Sequence, residues 1–135
     1  RLSASQAAVN LSVWLVLLPY DSTAIGSDGR AGVVTRGWAD PQNHRALQRG
    51  GNFADMQPGE ALVPGTFYTI TFDLQPDDQV IPVGKRLGLM LMSSDREFTL
   101  WPKPGAELTF DVSASALSLP VVGGLPALNR SIARP

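Results

Sequence analysis

The chain has 135 residues and no cysteine, and its 11 basic and 12 acidic residues give a formal net charge of −1. This length fits one domain and excludes a second, and the hydrophobic content of 44% predicts a packed core instead of disorder. The scattered, balanced charges exclude a nucleic-acid partner, and the missing cysteine excludes disulfides, zinc thiolates and cysteine nucleophiles. The composition does not indicate a cellular location.

The first predicted element is a strand in the apolar run of residues 8–18, where apolar and polar positions alternate. The run is too short to span a membrane, which excludes a membrane partner, and it stops at Pro19. Because 13 glycines and 11 prolines interrupt the chain, strands and turns are favoured over long helices. The opening at Arg1 without an initiator methionine, already in a strand-like pattern, predicts an excised piece of a longer polypeptide.

A second strand over residues 32–39 is predicted to form a hairpin with the first, through a polar connection whose tip is the Ser-Asp-Gly sequence at 27–29. The pattern then breaks over residues 40–64, which contain several glycines and prolines and a few isolated apolar residues. Connections of this length are usually functional or packed by their own side chains.

Alternation returns at residues 66–74, followed by a short extended piece at 80–83 and a strand at 86–93. That last strand is apolar on both faces, since three leucines (Leu87, Leu89, Leu91) alternate with Gly88, Met90 and Met92. We expect the leucine face to join the core. The methionine face then needs cover from residues 40–64, from the rest of a parent protein, or from a second copy through self-association of the excised domain.

Three further strands are predicted at residues 98–100, 107–112 and 116–121, which brings the total to seven or eight. Many short strands with closely spaced turns favour an all-β antiparallel sandwich or barrel. Residues 124–135 show no periodic signal and are predicted to be a flexible C-terminal tail, so that the folded domain covers residues 1–123.

No catalytic, cofactor or metal site is predicted. A Gly-x-Ser-x-Gly elbow is absent, and Ser27 lies in the predicted hairpin tip. His44 is the only histidine, and one histidine is too few for a metal site built from histidines. The sequence around it also does not show the serine and carboxylate partners of a catalytic triad. Asp73, Asp77 and Asp78 could offer oxygen ligands to calcium, but acidic residues at a strand end and turn are ordinary solvated positions.

The three tryptophans, Trp14, Trp38 and Trp101, permit two interpretations. They could form a platform on which sugars stack, or Trp14 could lie in the core with the other two at a domain junction, which we favour. Exposed aromatic residues near Asp and Arg are typical of interfaces. Asp95 and Arg96 are expected to form charge-assisted hydrogen bonds that fix a loop or the junction, unless they only close a turn. The candidate interface residues are Trp38, Asp40, Asn43, Phe53, Asp95, Arg96 and Trp101.

Four segments carry a family resemblance: Thr-Arg-Gly-Trp-Ala-Asp-Pro-Gln-Asn-His-Arg at 35–45, Leu-Val-Pro-Gly-Thr-Phe-Tyr at 62–68, and residues 71–78 and 82–100. Together they resemble the C-terminal non-catalytic domain of bacterial Xaa-Pro dipeptidyl-peptidases, in the serine peptidase family that includes cocaine esterase. The likeness extends to about residue 123. It departs from the family at Lys85, where many relatives carry histidine, and at Trp101, where they often carry arginine.

The resemblance implies a galactose-binding-domain-like jelly roll attached to the α/β-hydrolase catalytic domain of the same polypeptide. The family's Ser-Asp-His triad, which releases Xaa-Pro dipeptides from peptide N-termini, lies in that other domain, and no member of it maps onto this chain. The family's jelly roll also begins upstream of Arg1, so strands are expected to be missing and an edge left open. The alternative function is a free-standing carbohydrate-binding module, which would lack an upstream hydrolase.

Overall fold

Two antiparallel β-sheets form the framework of the computed structural model, which describes residues 1–19, 32–52 and 57–132. Within those residues there are five strands and one α-helix, with two short 3₁₀ helices at Pro41–Asn43 and Val112–Ala114. The strands are β1 (Leu2–Ala4), β2 (Leu11–Pro19), β3 (Val33–Ala39), β4 (Lys85–Met92) and β5 (Leu108–Phe110), and the helix is α1 (Gly124–Ile132). The all-β prediction is therefore correct at the level of fold class.

The larger sheet has the order β3-β2-β4, with β2 in the centre. The antiparallel pairing of β2 with β3 confirms the predicted pair of strands, although the tip at residues 27–29 lies outside the described residues. In this register Trp14 lies opposite Arg36 on β3 and Met90 on β4. In this part of the sheet the even-numbered residues of the three strands share one face. Trp14, Trp38 and Met90 therefore lie together on that face, and Val13 lies on the opposite face.

The smaller sheet pairs the first and the last strand of the described residues. Here β1 pairs with β5, with Leu2 opposite Phe110. Beyond β5, the Arg1 guanidinium lies 3.2 Å from the Asp111 carboxylate. A hydrogen bond from the Ser113 hydroxyl, helped by one from the Ala114 amide, holds the pKa of Asp111 below its ordinary value.

The extended segment of residues 66–75 connects the two sheets. Tyr68 exchanges two backbone hydrogen bonds with Leu2 of β1, and the Gln75 amide donates to the Arg36 carbonyl of β3. From Tyr68 to Leu74 the even-numbered residues are half-buried and the odd-numbered ones between them are exposed, as the sequence alternation predicts. The segment forms only an isolated bridge and not a full strand, because its two ends bond to different sheets.

The core lies between the two sheets and is completed by this segment. The main buried cluster comprises Leu2, Leu11, Val13, Ala39 and Leu47, and the half-buried Ile70, Phe72, Leu74, Leu108 and Phe110 pack against it. A smaller cluster, Ala4, Val9 and Leu62, lies at the end of β1. Burial of these side chains supplies the main driving force for folding.

Several sequence predictions are wrong in detail. Residues 80–83, 98–100 and 116–121 form no strand. Pro82 and Pro120 remove backbone donors from two of these segments, and the amides of Phe98 and Thr99 in the third donate to the Asp95 carbonyl. The short strand β1 was not resolved as a separate element in the sequence. Residues 124–132, expected to lack regular structure, form α1, whose apolar residues recur as Leu125, Leu128 and Ile132. The domain boundary at residue 123 stays a prediction.

The two faces of β4 also differ from expectation. Leu87, Leu89 and Leu91 do lie on the face that carries Val13 and Leu15, yet they remain 38%, 47% and 41% exposed. The opposite face, with Met90 and Met92, is half-buried. The face that lacks cover is therefore the leucine face.

In the part of the chain that the structure describes, no helix is long and apolar enough to cross a membrane.

The central position of β2 generates a stability prediction. Leu15 of β2 is 4% exposed, whereas Leu100 is 87% exposed. We expect Leu15→Ala to lower the free energy of unfolding by about 2–5 kcal/mol, because it removes buried methyl groups and leaves a cavity. Urea denaturation measures the change, with Leu100→Ala as the matched control at about 0.5 kcal/mol or less. Equal losses for the two variants would contradict the assignment of β2 to the core.

Candidate interaction site

Asp95 is the most strongly held polar side chain on the outer face of the larger sheet. It is 6% exposed, and its Oδ2 accepts hydrogen bonds from the Nε1 atoms of Trp14 (2.9 Å) and Trp38 (3.1 Å). The two indoles come from neighbouring strands β2 and β3, where the pleat places them on one face. Asp95 thus fastens the loop that follows β4 onto the sheet.

The loop around Asp95 closes on itself through a second set of hydrogen bonds. The Asp95 amide donates to Thr99 Oγ1, and the Asp95 carbonyl accepts from the amides of Phe98 and Thr99. Residues 95–99 therefore form a tight turn in place of the predicted strand at 98–100. Asp95 closes this turn and also bonds the loop to the sheet through the two indoles.

Arg36 fills the space beside these tryptophans. Its guanidinium carbon lies 4.3 Å from the centroid of the Trp14 ring and 5.1 Å from that of Phe98. The Phe98 ring also packs on Trp38, with 5.1 Å between the centroids. The Arg36 Nε atom is buried and makes no hydrogen bond within the described residues, and the guanidinium lies against the two aromatic rings.

The far end of the same loop is exposed. The guanidinium of Arg96 lies 4.5 Å from the centre of the Trp101 ring, which is 64% exposed. Two side chains from the β1–β2 connection hold the backbone behind this pair: Asn10 Nδ2 donates to the Leu100 carbonyl, and Gln6 Nε2 donates to the Pro104 carbonyl. The exposed Arg96–Trp101 pair is therefore presented by a loop anchored at both ends.

A cleft of about 510 Å³ opens on the other side of Trp38. Asp40 and Asn43 line it, together with Phe72 and Asp73. Asp40 caps the 3₁₀ helix Pro41–Asn43 by accepting a hydrogen bond from the Gln42 amide. Both apolar side chains and polar or charged ones line the cleft.

His44, the only histidine, is used structurally. Its ring lies 4.6 Å from the Tyr68 ring, and its Nε2 lies 3.5 Å from Glu60 Oε2. Glu60 also pairs with Arg45 at 2.9 Å. Among the residues that the structure describes, no group of three or more His, Asp or Glu side chains could hold a metal ion.

The structure divides the predicted interface residues into three groups. Trp38 and Asp95 bond directly, Arg96 and Trp101 form the exposed pair, and Asp40 and Asn43 line the cleft next to Trp38. Phe53 lies outside the described residues. Their role as an interface stays a prediction.

We call the group of contacting side chains Asp95, Trp14, Trp38, Arg36 and Phe98 the Asp95 cluster. The sequence analysis did not predict Trp14 as a hydrogen-bond donor to Asp95, or Arg36 and Phe98 as members of this cluster. The available signal was the register of the predicted hairpin, which places Trp14 opposite Arg36. The contacts do not favour a sugar-stacking platform, since each tryptophan ring packs against another residue: Trp14 against Arg36, Trp38 against Phe98 and Trp101 against Arg96.

The Asp95 contacts generate a stability prediction. We expect Asp95→Ala to lower the free energy of unfolding by about 2–4 kcal/mol, since two partly buried indole N–H groups lose their acceptor. Asp95→Asn keeps an acceptor oxygen and should lose less. Urea denaturation measures both, with Asp78→Ala at an exposed position as the control. An Asp95→Ala variant as stable as the control would contradict this role.

Comparison of the sequence with known proteins identifies the family of this chain. The model of the X-Pro dipeptidyl-peptidase C-terminal non-catalytic domain matches residues 1–131. A relative from Rhodopirellula baltica is 52% identical over 124 residues, which is 92% of this chain and 18% of the relative. A relative from Bacillus anthracis is 42% identical over 90 residues, or 67% of this chain and 13% of the relative.

A third relative, from Streptomyces avermitilis, is 37% identical over 102 residues, covering 76% of this chain and 14% of its own length. The names of all three contain Xaa-Pro dipeptidyl-peptidase, and the chain spans less than a fifth of each. No solved structure matches. The match across residues 1–131 and the identity to these relatives establish that the chain belongs to the family of X-Pro dipeptidyl-peptidase C-terminal non-catalytic domains.

Proposed function

We propose that this domain is a jelly-roll accessory domain of an Xaa-Pro dipeptidyl-peptidase, where it supports the α/β-hydrolase catalytic domain. The observation that carries the proposal is the anchored loop of residues 94–104, which exposes Arg96 and Trp101. Trp and Arg are the residues most enriched at the energetic centres of interfaces. A loop that is already fixed loses little conformational entropy on docking, which favours an interface there.

The galactose-binding-like jelly roll is part of this proposal. Two antiparallel sheets enclosing one core support it, as does the pairing of the first strand with the last. This pairing brings residues 2–4 and 108–110 into the same sheet.

We also propose that the surface around the cleft shapes the approach of substrate to the catalytic domain. Asp40, Glu60 and Asp73 give this cleft a local excess of acidic groups, with Arg45 as the opposing cation. The free amino group of a peptide N-terminus is positively charged, and acidic groups at an entrance attract it. No specific feature favours a carbohydrate-binding module.

The docking proposal predicts the behaviour of variants in the full-length enzyme. We expect Trp101→Ala to destabilise the docked state by about 2 kcal/mol, as for the central aromatic residue of an interface. The measurements are the thermal inactivation midpoint and turnover of an Ala-Pro chromogenic amide. Val112→Ala, at an exposed position outside this loop, is the control. Wild-type behaviour of Trp101→Ala in both measurements would contradict the docking proposal.

The proposal places catalysis in the α/β-hydrolase domain, so it predicts that this chain alone does not hydrolyse peptides or esters. It lacks a nucleophile elbow, and His44 contacts Tyr68 and Glu60. An assay with Ala-Pro and Gly-Pro chromogenic amides and a simple ester is expected to give no turnover above buffer. Turnover that persists through purification and is blocked by a serine-directed inhibitor would contradict it.

A further inference from the structure

The helix α1 presents its apolar side to solvent. Leu125, Leu128 and Ile132 recur at spacings of three and four residues, so they lie along one side of the helix. Their exposed fractions are 66%, 39% and 72%, and no residue of α1 is buried. The helix is therefore amphipathic, but the described part of the chain does not cover its apolar side.

The start of α1 is fixed by a tight turn. Gly123 and Gly124 have φ angles of 76° and 64°, and the Gly124 amide donates to the Val121 carbonyl at 2.8 Å. A Cβ added at position 123 would lie 2.8 Å from the Ala127 Cβ, so the turn packs closely against the helix. Pro126 is compatible with the first turn of a helix. The local sequence therefore determines where α1 begins.

This local sequence does not account for the stability of α1. Within residues 1–19, 32–52 and 57–132, the bond from Gly124 to Val121 is the only hydrogen bond that joins α1 to the rest of the chain. Helices shorter than about 12–15 residues are marginal in water, and most helices in proteins are stabilised by packing their apolar side. Because α1 has nine residues, we expect its stability to come from a partner surface.

The size of the apolar side argues for a partner from the same polypeptide. The three side chains together offer roughly 300 Å², whereas a stable interface between separate proteins buries about 800 Å² on each partner. A tethered partner needs less area, because its effective concentration is high and little translational freedom is lost. The relatives contain such a partner, since this domain covers only 18% of the Rhodopirellula baltica protein and the family is named as C-terminal.

We infer that the apolar side of α1 docks into an apolar groove on the catalytic part of the polypeptide, which precedes this domain. Leu125, Leu128 and Ile132 enter the groove, and Arg130 on the other side of the helix stays in solvent. This contact is separate from the proposed docking through residues 94–104. The inference rests on the proposed function, because it requires the domain to be part of the longer enzyme.

Photocrosslinking in the full-length enzyme tests the inference. Leu128 is replaced by p-benzoylphenylalanine, the protein is irradiated, and the adduct is located by peptide mass mapping. The expected adduct joins position 128 to a peptide that precedes residue 1 in the same polypeptide. Arg130, about 200° around the helix axis from Leu128, is replaced in the same way as a matched control, and no adduct to that peptide is expected.

Four other results would overturn the inference. An adduct between two polypeptides, visible as a dimer on a denaturing gel, would assign the apolar side to a second copy. An adduct to residues 1–135 would show that the domain covers its own helix. Recovery of the unreacted or reduced label alone would show that this side is open to solvent. Equal adducts from positions 128 and 130 would show that neither side of α1 is preferred.

Hydrogen exchange of the full-length enzyme gives a second measurement that does not depend on the bulky label. The amides of residues 128–132, which bond within the helix, are expected to be protected in the wild-type enzyme. A double variant, Leu125→Ala with Ile132→Ala, is expected to lose about tenfold or more of this protection, because it removes the docking side chains. Alanine is the best helix former, so the loss would not come from a weaker helix propensity.

The matched control for the double variant is Arg130→Ala, on the polar side of the same helix, which is expected to keep the wild-type protection. Wild-type amides that exchange at the rate of an unprotected chain would overturn the inference. Equal protection in the wild-type enzyme and the double variant would overturn it as well.

These readouts are independent of the test of the proposed function. Loss of the effect of Trp101→Ala, with the position 128 adduct still formed, would remove docking through the loop of residues 94–104 and leave the docked helix. A solvent-open helix, together with a destabilising Trp101→Ala, would remove only the docking of α1.

Discussion

One oxygen of Asp95 accepts hydrogen bonds from two indoles, and these two bonds determine the arrangement of the outer face of the larger sheet. Trp14 and Trp38 belong to different strands, and the bonded loop follows the third strand, so this single side chain ties β2, β3 and the end of β4 together. Arg36 and Phe98 take their places around the tryptophans that Asp95 orients. Without this acceptor, the loop that exposes Arg96 and Trp101 would lose its attachment to the sheet.

The Asp95 cluster and the segment of residues 66–75 play complementary parts. The cluster fixes the outer face of the larger sheet, whereas the segment closes the inner side by bonding to β1 at one end and β3 at the other. Its half-buried residues, among them Ile70 and Phe72, pack against the main core. Among the residues that the structure describes, β4 has the most exposed apolar side chains of the larger sheet, Leu87, Leu89 and Leu91.

The sequence was most informative where a single period extended over many residues. The alternation of β2, β3 and β4 predicted all three strands to within a few residues, because one-sided burial imposes a period of two. The same rule predicted the exposed and half-buried sides of residues 66–75 but not their partners, since pairing depends on distant residues. It could not identify β1, which has three residues, or separate the turn at 95–99 from a strand.

The candidate site was predicted in part for related reasons. Composition and position singled out Asp95, Arg96 and Trp101, but not Arg36, which resembles any other strand cation until its cross-strand neighbour is known. α1 was not predicted for two reasons. It begins at a pair of glycines, and its first turn contains Pro126, so the spacing of Leu125, Leu128 and Ile132 did not indicate a helix. Proline is compatible with that position, so it marked a helix start and not a break.

The pairing of β1 with β5 has a consequence for the synthesis of the domain. The Glu107 amide bonds to the Ser5 hydroxyl across 102 residues of chain, and Leu2 lies opposite Phe110. Contacts this distant form only after the chain between them has been made, and they slow folding because a long loop must close first. The smaller sheet therefore assembles only when the last strand has left the ribosome, and a chain that stops before residue 108 leaves β1 without its partner. The larger sheet, whose strands are complete by residue 92, has all of its parts earlier.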